Sequence, residues 1–169
     1  LLYQHNVHLI AKKITPFIYY DTDPYLVVTD SGRLVWMLDG YTSAANFPYS
    51  TPYEQRKDRN YIRNAVVATI DAYSGETKFY IKDAKDPIIN GYASIYPSLF
   101  SDLSEMPESL LSHIRFPKYL FKIMARIYNV YHMNDPQVFY NKEDLWTFPT
   151  ETYDSTTGIT MEPYYMYMQ

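Results

Sequence analysis

Four histidines and a handful of spaced aspartates are the residues of this chain best suited to chemistry, and their spacing decides what each could do. His132 and Asp135, in YHMNDP, lie three positions apart. An imidazole oriented by a carboxylate can act as a general base, so the pair forms a possible polar site of hydrolase type. The same residues have a structural use. A histidine ending one helix meets the negative end of its dipole, and an aspartate can cap the next helix. His5 and His8 are also three apart and would share a helix face, but no third ligand stands nearby, and no metal site is assigned. Asp21 and Asp23 in YDTDPY, with Asp83 and Asp86 in DAKDP, offer oxygens to a calcium ion. Both stretches lack the length, glycine and closing glutamate of an EF-hand loop, so turn formation is their expected role. Walker loop, dinucleotide fingerprint, nucleophile elbow and HExxH are all missing, and no catalytic residue or cofactor is assigned.

The stronger signal is aromatic: 20 Tyr, 8 Phe and 2 Trp. Half-buried strand positions account for most of them. Residues 41–53 read YTSAANFPYSTPY, a stretch without strand or helix periodicity in which Tyr41, Thr42, Phe47, Tyr49 and Tyr53 form a candidate binding surface. Half-burying a Phe or Tyr is worth about 1 kcal/mol, and Pro48 and Pro52 reduce the entropy lost on ordering. The loop is therefore expected to lie ordered against a sheet, with Tyr49 as its exposed ring.

The elements that must position these residues follow from periodicity and turn chemistry. Two β-hairpins are expected. One has Ser74-Gly75 as a two-residue turn, pairing Asp71 with Lys78, Ile70 with Phe79 and Ala68 with Ile81. The other turns at Ser31-Gly32 and pairs Asp30 with Arg33, Val28 with Val35, Val27 with Trp36 and Leu26 with Met37. Helices are expected over residues 1–14, 87–96, 107–114 and 117–133. The second has Asp86 and Pro87 as its cap and first residue, and Asp135-Pro136 repeats the device. Residues 161–168 read as a last apolar strand whose edge could pair two copies into a dimer. The fold class is α+β: an antiparallel sheet of two hairpins plus edge strands, with several helices on one face, in a single domain over residues 1–169.

Composition excludes other classes. A net charge of −4 on 169 residues with 20% charged side chains suits neither a disordered chain nor a polybasic nucleic-acid binder. The absence of cysteine rules out disulfides and thiolate metal sites within the chain. No apolar run approaches the roughly 18 residues of a membrane span, which points to a soluble segment.

The stretches DPYLVVTDSGRLVWMLDGYT, FPYS, NYIRNAVVATIDAYSGETKFYI, DPIINGYASIYPSLF, SEMPESL and YHMNDPQVFYNKEDLW occur in this order along the chain. Together they closely resemble Uncharacterised Protein Family 0182, large bacterial and cyanobacterial multi-pass membrane proteins with no established activity. The resemblance implies a soluble fragment, extracytoplasmic in expectation, cut from the region after the membrane helices of a larger protein. It transfers no catalytic residue. The function expected is non-enzymatic: binding an envelope component, whether lipid, glycan or protein. A hydrolase using His132 with Asp135, or with a carboxylate brought in by the fold, is the alternative.

Overall fold

The computed structural model describes residues 6–53, 58–152 and 158–166. The chain divides into two compact units, residues 1–115 and 116–169. The first contains α1 (Val7–Ile14), β1 (Tyr19–Tyr20), β2 (Tyr25–Val28), β3 (Leu34–Ala44), β4 (Tyr61–Asp71), β5 (Thr77–Ile81), α2 (Pro87–Ile95), β6 (Phe100–Asp102), a 3-10 turn (Leu103–Glu105) and α3 (Glu108–Leu111). The second holds α4 (Lys118–Tyr131), α5 (Pro136–Asn141), β7 (Thr150–Glu151) and β8 (Ile159–Thr160). The α+β class is as expected.

Strands of the first unit run in the order β1-β3-β4-β5-β6, and β2 shares the β3 edge with β1. All pairs are antiparallel except β5 with β6, which is parallel because α2 carries the chain back across the sheet. Helical cover falls on both faces, not one. Ala11 of α1 and Ile89 of α2 pack with Leu38, Val66, Ala68, Ile70 and Phe79. On the other face Met106 and Leu110 pack with Val27, Val35, Met37, Val67 and Tyr80. The reason is in the central strands: β3 and β4 carry apolar side chains on both faces, and one layer of helices cannot keep water from both.

Both hairpin registers differ from expectation. In the β4–β5 hairpin Ala68 pairs with Phe79 and Ile70 with Thr77, a shift of two residues. Asp71 causes it by folding the loop back on itself: its Oδ1 accepts from the backbone N–H groups of Tyr73 and Ser74. A two-residue shift leaves every side chain on its face, so the expected apolar side survives. In the β2–β3 hairpin Val28 pairs with Leu34, Val27 with Val35 and Leu26 with Trp36, a shift of one. Here the loop has three residues and ends on Gly32 at φ 77°, the left-handed position that a glycine bulge requires. Arg33 consequently leaves Asp30 and binds Asp71 of the neighbouring hairpin, its Nη2 donating at 2.7 Å.

Between β3 and β4 the register breaks after Gly40, where Ala65 becomes the extra residue of a bulge. A side chain at Gly40 would meet Ile18 Cγ2 at 2.9 Å and Val66 Cβ at 3.2 Å, so the close approach of β1 needs a glycine there.

Short elements dominate the second unit. The stripe expected on α4 divides: Ile123 is buried, while Met124, Ile127, Tyr128 and Tyr131 are exposed. The strand expected over 161–168 is not formed by the described residues 161–166. Pro163 removes a ladder donor from the middle of that run, and pairing occurs upstream, where Glu151 meets Ile159. Residues 167 and 168 lie outside the described residues, and the proposed dimer edge has no strand in the rest.

Candidate functional site

The aromatic loop begins later than its sequence suggests, because β3 continues to Ala44 and β4 starts at Tyr61. Tyr41 and Thr42 are strand residues, each 1% exposed and pointing to opposite faces, so neither is open to a ligand. Phe47 and Tyr49 are in the loop proper. One side chain frames it. Asn60 Oδ1 accepts from Phe47 N at 3.0 Å, and its Nδ2 donates to the carbonyls of Phe47 at 2.7 Å and Ser50 at 3.0 Å. Ser50 Oγ donates back to the Asn60 carbonyl at 2.7 Å. Phe47, 50% exposed, stacks on Tyr61 at 5.2 Å between ring centroids. Tyr49 is fully exposed and sits at φ 56°, a left-handed conformation that costs a non-glycine residue energy. Tyr53 is half-buried, its N–H donating to the Arg59 carbonyl at 3.2 Å. The described residues of the loop are thus tied to Asn60 with Tyr49 fully exposed, and Arg63 lies 6.0 Å from the Tyr61 ring on its flank.

Three carboxylates, Asp86, Asp21 and Asp39, take side-chain hydrogen bonds from these strands. Asp86 caps α2 through the N–H groups of Ile88 and Ile89, as expected, and also accepts from Thr42 Oγ1 at 2.6 Å and Tyr61 Oη at 2.5 Å. Burial, followed by the adjacent Asp86 carboxylate, raises the Tyr61 phenol above its ordinary value. The loop's stacking platform is therefore tied to the first turn of α2. On the opposite face Tyr41 Oη donates to Asp21 at 2.5 Å. Beside it Asp39, 3% exposed, accepts from Asn64 Nδ2 at 3.1 Å and Lys82 Nζ at 3.3 Å. Burial raises the Asp39 carboxyl above the usual range, and Lys82 works against that shift.

This second cluster escaped the sequence reading, although a signal was present. Asp39 interrupts the apolar run LVWML, and a charge inside a central strand must find a buried partner. Asp83 does turn work, its Oδ1 accepting from Lys85 N at 3.0 Å, whereas Asp23 Oδ2 accepts from Arg115, 92 residues away, at 2.9 Å. Arg115 also lies over the Tyr25 ring at 3.9 Å.

His132 and Asp135 are not brought together. Asp135 caps α5 through Gln137 N and Val138 N, at 2.7 and 3.2 Å. His132 stacks on Trp146 at 3.9 Å, with Nδ1 at 3.0 Å from the Tyr128 carbonyl and Nε2 at 3.4 Å from Asp144. His8 lies in the first turn of α1, and His5 lies outside the described residues. Among the described residues no three His, Cys, Asp or Glu side chains form a metal-binding group, and no helix is long and apolar enough to cross a membrane.

Fold and site define a mixed-sheet α+β domain that holds an aromatic loop open at one end of its sheet. The chain belongs to the uncharacterised protein family UPF0182, whose model matches residues 1–169. It is similar to the UPF0182 protein of Pelotomaculum thermopropionicum, 52% identical over 98% of this chain and 18% of the relative. The relative from Alkaliphilus metalliredigens is 50% identical over 100% of the chain and 18% of its own length. That from Trichodesmium erythraeum is 42% identical, again over 100% and 18%. The chain therefore spans less than a fifth of the curated relatives it matches. No solved structure matches it.

Proposed function

We propose that this chain is a non-enzymatic, extra-membrane module of a larger bacterial membrane protein, and that it binds an envelope component (lipid, glycan or protein) through the Phe47–Tyr49 loop. One observation carries the reading: Tyr49 is fully exposed in a left-handed conformation beside a half-exposed Phe47 stacked on Tyr61. Holding a bare aromatic ring in an unfavourable backbone state has a cost, and a rigid ring with a polar tip is the kind of side chain that recognition surfaces use. Asn60 pre-orders the loop, so little entropy is lost when a ligand docks. The rival hydrolase loses its His132–Asp135 pair, because the Asp135 carboxylate is occupied with α5; the carboxylate the fold brings to His132 is that of Asp144, at 3.4 Å, on an imidazole stacked against Trp146.

The test compares the chain with a Phe47→Ala/Tyr49→Ala variant on a panel of envelope fractions. Tyr41 is left intact, since its hydroxyl is bound to Asp21 inside the sheet. The variant is expected to lose about tenfold or more in affinity for one fraction, as removal of an exposed aromatic anchor does. Equal binding by both proteins would remove the loop from the function.

A further inference from the structure

At the hairpin end of β4, away from the aromatic loop, two hydroxyls stand on an otherwise apolar part of the sheet. Thr69 of β4 pairs with Lys78 of β5, and Tyr80 lies diagonally from it on the same side, two residues past Lys78. Both residues are more than nine-tenths buried, at 5% and 4% exposure. Among the described residues neither hydroxyl has a hydrogen-bond partner in the protein, and neither is sealed from solvent. Both side chains line a pocket of about 130 Å³, walled by Val35 on the sheet and by Pro107 and Leu110 of the α3 segment. Valine and phenylalanine would fill the same space, so the hydroxyls add nothing to the packing and offer their hydrogen bonds to the pocket.

We propose that this pocket binds one neutral sugar ring. Size limits the occupant: a cavity of about 150 Å³ takes a single benzene ring, whereas drug-sized ligands occupy about 300 Å³ or more. Charge disfavours an ion. Asp71, which also lines the pocket, already accepts from Tyr73 N, Ser74 N and the Arg33 guanidinium, while Glu76 and Lys78 pair with each other at 3.4 Å. The lining is thereby close to neutral, yet the exposed Glu76 and Lys78 side chains keep an acceptor and a donor at its rim. A phosphate or an amino acid would have to break that pair, and a purely apolar ring would leave both hydroxyls unmatched. A sugar ring meets both demands. Its hydroxyls reach Thr69, Tyr80, Glu76 and Lys78, and its C–H face lies on Val35, Pro107 and Leu110. The pocket adjoins the Asp71 end of β4 and the Phe47–Tyr49 loop the Tyr61 end, so the inference does not rest on the role of the loop.

The experiment follows the amide NMR shifts of the isotope-labelled chain during titration with glucose, galactose, mannose and N-acetylglucosamine, with phosphate and glycine as charged probes. At least one sugar is expected to shift the amides of Thr69, Lys78 and Tyr80 saturably, with an affinity of about millimolar order, as the contacts of one ring allow. Thr69→Val and Tyr80→Phe each remove one hydroxyl and keep the shape, and each should weaken that binding about fivefold or more while its own spectrum shows the fold intact. The Phe47→Ala/Tyr49→Ala variant should titrate as the unaltered chain does. The inference is overturned if no sugar saturates these amides, or if the two hydroxyl variants bind undiminished. Saturation of the same amides by phosphate or glycine would overturn it too, marking an ion site, as would loss of sugar binding in the loop variant, which would put the sugar on the loop.

Discussion

Asp86 and Asp135 share one local device, an aspartate followed by proline at the start of a helix, yet the two carboxylates carry very different loads. Asp135 is exposed and serves two backbone N–H groups. Asp86 is 1% exposed and adds the hydroxyls of Thr42 and Tyr61 to the same duty. Asp135→Ala should cost about 1 kcal/mol, the usual worth of an N-cap. Asp86→Ala should cost about 3 kcal/mol, because two hydroxyls at the loop end of the sheet lose their acceptor as well as the helix its cap. Urea denaturation of the two variants measures the difference; equal losses would show that Asp86 is only a cap. Both caps were legible from DP in the sequence. The extra burden on Asp86 was not, since Thr42 is 44 residues away and Tyr61 is 25.

At the scale of elements, the hairpins show how little a register depends on the strands and how much on the loop. Alternation correctly sorted Ile70, Phe79, Ala68 and Ile81 to one face. What moved the pairing was Asp71, which captures two loop N–H groups and then Arg33 of the adjacent hairpin. The Ser74 N–H, followed by the Arg33 guanidinium, holds the Asp71 carboxyl well below the usual carboxylate range. A depressed folded pKa means that this stabilisation is present above the unfolded value of about 3.9 and is lost as pH falls through it toward the folded value. Asp71→Asn should therefore flatten the decline in stability below about pH 4. At pH 7 it should cost no more than about 1 kcal/mol, because Arg33 is more than half exposed and water screens the pair. Thermal melts at pH 3 and pH 7 check both statements, and an unchanged acid slope would show that the tie does not persist in solution.

For the whole molecule, the decisive contrast is between a sheet buried on both faces and a second unit that buries little of its own. All the residues of the two apolar clusters belong to residues 1–115. Among the described residues of 116–169, Ile123 alone represents the non-proline apolar side chains in the buried set. Residues 1–115 made without the rest should unfold in one cooperative urea transition, since they keep both layers of core. Residues 116–169 made alone should show a broad transition and bind a dye for exposed apolar surface. A sharp transition from the shorter piece would mean that it stabilises itself by contacts other than its apolar core.

The sequence by itself determined much that depends on neighbours within about ten residues, the hairpin registers excepted. That covers the DP caps of α2 and α5, the amphipathic α4, the existence of both hairpins, and the full exposure of Tyr49 beside Pro48. It also carried the resemblance to the family that the chain proved to belong to. Only the tertiary structure decided the rest, because the energies involved join residues far apart along the chain. β3 and β4 extended their pairing to Ala44 and Tyr61, which buried Tyr41 and Thr42 and shortened the loop to its true tip. Asp39 found Lys82 across 43 residues, a partner that no local pattern could name. His132 took Trp146 and Asp144 instead of Asp135, for the carboxylate three residues away was already satisfied by the backbone of α5. A buried polar group is placed by whichever partner the fold brings within hydrogen-bond reach, and that choice is made by packing, not by spacing.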